Sequence, residues 1–303
     1  MPFPIIPYFC SAHQSNPRMR LFSAALLLLI LCSCVRYGRL KTSGKLPSRL
    51  NECSGMTTLD GDTLWVIEDG GNADNLYGID PQGQLVASFE VSNGKNKDWE
   101  ALTHDRSGNF YIGDFGNNGN RRKDLVIYKL PNPHVEKGDK IPAEKIEFTY
   151  PDQEAFPPGF DNRRFDAEAF FHHQGRLYII TKNQSDPFNG RAYVYSVPDV
   201  PGAYTARAEI EFETCPDRNS CRVTDAALSP DGNRLALLGY GKLWLFDDFG
   251  TEQFGDGPDR TIELGANTQL EALCFAREDL LYLADERLFR SGGRLYAFPL
   301  PAK

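Results

Sequence analysis

Carboxylates recur through this 303-residue chain at positions that invite comparison. Glu100 in Trp99-Glu100-Ala101-Leu102, Glu168 in Ala167-Glu168-Ala169-Phe170, Asp225 in Thr224-Asp225-Ala226-Ala227 and Glu271 in Leu270-Glu271-Ala272-Leu273 each open a short apolar run. Ser54 takes the equivalent place in Ser54-Gly55-Met56. Fourteen residues beyond Glu100 and Glu271 come Asp114 and Asp285, and Glu68 stands in the same relation to Ser54. Oxygen-only groups gathered in this way suit a hard divalent cation, calcium first, which takes six to eight oxygen ligands. Glu100, Asp114, Glu168, Asp225, Glu271 and Asp285 are the candidate ligands. Asp69, Asn72, Asn117 and Asn118 lie in neighbouring loops and add further oxygens at the same place. The competing arrangement is an internal salt-bridge network, with Lys182, Arg121, Arg122 and Arg287 as the cations. No Ser-His-Asp grouping or nucleophile elbow is apparent. His104 is expected at the turn end of its strand, far from the acidic end, and His172-His173 at the surface beside a turn. Chemistry at the acidic end would then depend on carboxylates, Lys182 or a metal-bound water.

The elements that must position these groups follow from self-comparison. Each of the five segments continues into a second strand (Leu64–Ile67, Phe110–Gly113, Leu177–Ile180, Leu235–Leu238, Leu281–Ala284) after a turn such as Asp60-Gly61 or Asp231-Gly232. Third strands rich in Tyr or Trp follow, and fourth strands are expected at Leu85–Val91, Lys145–Tyr150, Ala206–Phe212 and Arg260–Leu264. The repeats begin 46, 68, 57 and 46 residues apart, so insertions fall after the second and third. The expectation is an all-β, five-bladed β-propeller, with the Tyr37–Leu46 stretch supplying the missing fourth strand of the last blade and removing free edges. A sixth blade within Ile141–Arg164, a β-sandwich or two smaller β domains are the alternatives. If the hairpins are regular, Glu100 faces Asp114 and Glu271 faces Asp285, and such like charges need an offset.

The N-terminal run Leu21–Leu31, after Arg18 and Arg20, has the layout of a secretory signal and is too short to span a bilayer, which takes about twenty apolar residues. Ser33-Cys34 resembles the lipobox of bacterial lipoproteins. The resemblance implies removal of residues 1–33, a lipid on Cys34 and a membrane partner, with Met19 the expected start and the outer membrane the expected location. The body begins at residue 49. Loss of Arg18 and Arg20 takes the net charge from −8 to −10, which argues against nucleic acid as a partner and leaves the acyl chains to hold the membrane. Cys215 and Cys221 bracket a polar loop and are expected to form a disulfide in that compartment, while Cys53 and Cys274 are expected to be buried thiols.

Glu52-Cys53-Ser54-Gly55-Met56, Glu68-Asp69-Gly70-Gly71-Asn72 and Asp98-Trp99-Glu100-Ala101-Leu102 resemble bacterial envelope propellers of the SdiA-regulated type. That resemblance implies a propeller and a bound calcium but no reaction. Lactonase- and phytase-like propellers are more distantly similar at the level of architecture. The function expected is a monomeric, tethered binding or scaffold protein for an envelope ligand. A metal-dependent hydrolase of a small lactone or phosphoester is the alternative.

Overall fold

In a computed structural model, residues 37–250, 254–288 and 291–301 are described. The chain first lays down β1 (Lys41–Lys45), then β2 (Cys53–Thr57), β3 (Leu64–Glu68), β4 (Asn75–Ile79) and β5 (Leu85–Ser92). Next come β6 (Trp99–His104), β7 (Phe110–Asp114), β8 (Leu125–Leu130), β9 (Lys140–Pro142) and β10 (Glu144–Thr149). The third group is β11 (Ala167–His173), β12 (Arg176–Thr181), β13 (Arg191–Pro198), β14 (Gly202–Thr205) and β15 (Arg207–Glu213). The last two are β16 (Val223–Leu228), β17 (Arg234–Gly239), β18 (Lys242–Asp247), β19 (Arg260–Glu263) and β20 (Leu270–Arg277), β21 (Leu280–Asp285), β22 (Arg294–Pro299).

These strands form five sheets, antiparallel apart from the β5–β9 and β10–β14 pairs, and the inner strands β2, β6, β11, β16 and β20 neighbour one another in that order until β20 meets β2. The ring is a five-bladed β-propeller. Strand β1 pairs antiparallel with β22 and completes the last blade, as expected of the Tyr37–Leu46 stretch. Gly44 is needed there, because a Cβ would strike the Gln82 carbonyl of the first blade.

No sixth blade forms from residues 141–164. Strand β10 is the fourth strand of blade two, and β9 instead crosses back to lie parallel to β5 on the rim of blade one. Strand β14 likewise crosses back to pair with β10. The longer second and third repeats therefore cover outer edges that would otherwise offer unpaired backbone.

Side-chain alternation on two-sided sheets places an apolar layer between each pair of neighbouring blades. Trp65, Trp99 and Ile112 pack between blades one and two, Tyr111, Phe115 and Phe170 between two and three, and Phe171 and Trp244 between three and four. Leu245 and Tyr296 join four to five, and Cys53 and Cys274 both sit in the layer joining five to one. Both thiols are buried and free, and Cys215 is bonded to Cys221.

One irregularity recurs in every blade. The inner hairpin carries a β-bulge between residues 53 and 55, 99 and 101, 167 and 169, 223 and 225, and 270 and 272. Such a bulge leaves one residue unpaired and re-aims its side chain. The unpaired residues are Ser54, Glu100, Glu168, Thr224 and Glu271.

Candidate functional site: the acidic mouth

The bulges decide which carboxylates meet. With the ladder shifted by one, Asp114 lies opposite Trp99 and Asp285 opposite Leu270, so the opposition expected for Glu100–Asp114 and Glu271–Asp285 does not occur. In blade four the bulged residue is Thr224, and Asp225 pairs with Leu238. Thr224 Oγ1 donates to the Leu270 carbonyl (2.8 Å) and Ser54 Oγ to the Trp99 carbonyl (2.9 Å), so these two members of the column tie adjacent blades together.

Asp114, Asp225 and Asp285 are fully buried, and each accepts hydrogen bonds from neighbouring protein groups. Asp114 accepts from Arg122 (2.9 Å) and the Asp98 amide (3.1 Å). Asp225 accepts from the amides of Ala226 (2.8 Å) and Leu273 (2.6 Å), the second in the next blade. Asp285 accepts from Tyr296 (2.7 Å), the Arg294 amide (2.8 Å) and Thr268. Arg122, rather than the exposed Arg121, turns inward, because Asn117 Oδ1 accepts both of their amides (2.7 and 2.9 Å) and fixes the turn.

Glu100, Glu168 and Glu271 do converge. Burial raises the pKa of Glu100 well above the usual carboxyl range, with Glu168 adding to it. Lys182, the residue after β12, reaches Glu168 Oε2 at 3.1 Å, and Tyr240 donates to Glu271 Oε1. Burial alone would discharge Lys182, but Glu168 and Glu271 hold its ammonium well above the ordinary lysine range. One half of the mouth is thus an internal salt-bridge network.

In the other half no described cation lies within ion-pair distance, although Lys182 acts on Asp69 and Glu100, and Arg122 on Asp98, from further off. Ligand oxygens of Asp69, Asp98 and Glu100 lie within 4.8 Å of one another, and none of the three forms an ion pair among the described residues. Backbone geometry holds them. Asn96 donates to the carbonyls of Glu68 and Asp69 (2.9 Å each), and the Gly116 amide donates to the Asp98 carbonyl (3.1 Å). A Cβ on Gly70 would approach Asp98 Oδ1 to 2.6 Å, and one on Gly116 would approach Asp98 Oδ2 to 2.6 Å and overlap Glu100. Only glycine leaves the carboxylates this room. Burial, then Asp69, pushes Asp98 up to about 6. Glu286 is pushed to about 8 by burial, then Glu271 and Asp69, and Glu68 to about 7 by burial and Glu52.

Asn72 Nδ2 donates to Glu52 (2.6 Å) and to the Asp69 carbonyl (3.0 Å), so it braces the loop. Asn117 is committed to its turn and to Asp166 and Phe165, and Asn118 accepts from Gln184 (3.0 Å). Asp98, Asp166, Tyr240 and Glu286 were absent from the candidate set. For Asp98 and Asp166 the signal was their place two residues before Glu100 and Glu168.

The opposite mouth differs in kind. A cavity of about 1100 Å³ is lined by Met56, Leu102 and Phe275 and by His104, His172 and Asp199. His172 Nε2 bonds Asp199 (2.8 Å) and its ring stacks on Tyr111. His104 Nδ1 bonds Thr57 (2.7 Å), and burial lowers its pKa to about 4. Neither histidine is a simple surface residue.

Comparison with known proteins supports the architecture. A PQQ-bound aldose sugar dehydrogenase from Streptomyces coelicolor is similar with a TM-score of 0.51 at 12% identity, over 87% of this chain and 99% of that one. The shared feature is the β-propeller fold. A streptogramin B lyase matches at a TM-score of 0.38 and 12% identity, over 87% of this chain and 73% of its own. No protein-family model matches the sequence, and no curated protein does.

Proposed function

We propose that this chain is a membrane-tethered extracytoplasmic binding protein of the propeller class that holds a divalent cation, calcium above all, between Asp69, Asp98 and Glu100. The observation carrying this reading is the cluster of Asp69, Asp98 and Glu100 oxygens, none of them in an ion pair among the described residues, beside Asp114 and Glu168, which are so paired. Three carboxylates can supply up to about six oxygens, within the coordination calcium takes. The glycine clearances at positions 70 and 116 fit a site built around those oxygens. Ser33-Cys34 supports the lipid anchor, and the likeness to envelope propellers of the SdiA-regulated type supports the same setting.

Position separates the triad from the large cavity, where Asp105, His172 and Asp199 form a second group whose ligand atoms lie within 4.8 Å of one another. Glu100 and His104 stand at opposite ends of β6, about 13 Å apart at 3.3 Å per residue. A substrate in the large cavity would therefore not reach an ion in the triad. Calcium or manganese titration with a melting-temperature readout tests the site: a rise in wild type that Asp98→Asn abolishes is expected, and no rise at millimolar cation sinks it. Mass measurement of the membrane-extracted protein tests the anchor, which requires acylated Cys34 as the first residue.

A further inference from the structure

The wide cavity at the turn end of the channel is chemically two-sided. The residues opposite Phe110, Leu177, Leu235 and Leu281 across the inner hairpins are His104, His172, Leu228 and Phe275. Blades four and five thus present apolar side chains there, joined by Met56 of blade one, while blades two and three present imidazoles. On the imidazole side, ligand atoms of Asp105, His172 and Asp199 lie within 4.8 Å of one another. This donor set contains nitrogen, unlike the all-oxygen triad at the acidic mouth, from which the length of β6 separates it.

Each donor is brought there by a separate element. His172 stands near the end of β11, and its ring is stacked on Tyr111 of blade two, with centroids 5.7 Å apart. Asp199 follows β13, where the chain leaves blade three for β14, which pairs with β10 of blade two. Lys129 of β8 donates to the Asp199 carbonyl (2.9 Å), so the crossover that lengthens the third repeat also sets Asp199 against His172. Asp105 is held by the amides of Ser107 (2.8 Å) and Asn109 (2.9 Å), by Asn109 Nδ2 (2.7 Å) and by the Tyr111 hydroxyl (3.0 Å). Outer hydrogen bonds of this kind orient a metal-binding carboxylate. The turn itself does not need the charge. In blade four Ser229 stands in the same place after Leu228, and its hydroxyl accepts the Arg234 amide (2.9 Å).

We infer that Asp105, His172 and Asp199 form a second cation site, which takes zinc. Imidazole nitrogen with carboxylate oxygen is a zinc donor set, and three protein ligands leave a fourth position open. All three residues line the cavity, so that position opens onto it and takes water or a polar group of a small molecule lying on Leu228 and Phe275. Tetrahedral zinc with bonds of about 2.0–2.1 Å keeps its ligand atoms about 3.3 Å apart. His172 Nε2 and Asp199 Oδ2 stand at 2.8 Å, so the ion replaces their hydrogen bond with an opening of about 0.5 Å. The other two gaps close by about 1.5 Å at most. Nothing in this site depends on the ion at the acidic mouth.

The test uses the full-length chain, stripped with chelator and returned to millimolar calcium, with zinc chloride as the only probe. Equilibrium dialysis should find one zinc per chain, and the melting temperature should rise with zinc. Asp199→Asn keeps the size of the side chain and a hydrogen-bond partner for His172, whereas His172→Gln removes the imidazole. Each should weaken zinc binding by more than about 100-fold, beyond the loss of an outer hydrogen-bond partner. Asp98→Asn should bind zinc as wild type does, which separates this site from the acidic mouth. A measurement without substitutions is anomalous scattering at the zinc edge from zinc-soaked crystals. It should place a peak about 2.0–2.2 Å from one atom of each of the three residues. No zinc retained, wild-type affinity in both cavity variants, loss of zinc in Asp98→Asn instead, or a peak elsewhere overturns the inference.

Discussion

Asp98→Asn is the substitution whose sign separates a cation site from an ordinary acidic surface. Two ionised carboxylates 4.8 Å apart repel by about 3.5 kcal/mol at an effective dielectric constant of about 20. Asp98 is partly exposed, so water screens much of this, and about 1–2 kcal/mol is the expected relief when its charge is removed. For a domain of this size that is about 3–6 °C in melting temperature. In chelator at pH 7.5, Asp98→Asn should therefore melt higher than wild type. Calcium at about a hundred times its dissociation constant stabilises a folded protein by about 2.7 kcal/mol. Wild type should gain this and overtake the variant, which should respond little. Differential scanning fluorimetry with and without calcium reads both effects. An Asp98→Asn protein that melts lower in chelator, or that responds to calcium as wild type does, would refute the reasoning.

Further outcomes follow from the same packing. Lys182→Met leaves Glu168 and Glu271 buried without their cation and should cost about 3–5 kcal/mol in urea unfolding at pH 8, with much of the loss recovered by adding Glu168→Gln. Glu286, with its folded pKa raised to about 8 from the usual 4.5, binds more protons folded than unfolded between those values, so its contribution falls as pH rises through them. Glu286→Gln should flatten that part of the stability–pH curve, and an unchanged slope would count against the burial assigned to it. Cys53 and Cys274, whose thiol pKa values burial raises, should resist a thiol reagent in the native mature chain and both react in denaturant. Gly44→Val should destabilise by at least about 2 kcal/mol by forcing β1 off blade five, visible as faster amide exchange in Lys41–Lys45.

Blade number was legible because each blade repeats the same strand order. What was not legible was the extra residue in every inner strand. Counting by twos across a hairpin assumes an unbroken ladder, and one bulge per blade moves Asp114 and Asp285 into the blades while releasing Glu100 and Glu271 into the channel. The same step hid Thr224, since Asp225 looked like the acidic member of its column. Choosing between the adjacent Arg121 and Arg122 required the turn set by Asn117, a contact between loop and backbone that leaves no periodic trace. His104 ends its strand as expected, whereas His172, expected at the surface, lines a cavity against Asp199, because only the closed ring brings those strand ends together.

Electron density at the acidic mouth in crystals grown with calcium tests the central claim most directly. The account predicts an ion between Asp69, Asp98 and Glu100 with oxygens at about 2.3–2.6 Å. A mouth that holds only water at saturating calcium, or a lysine or arginine turned onto the triad, would contradict it.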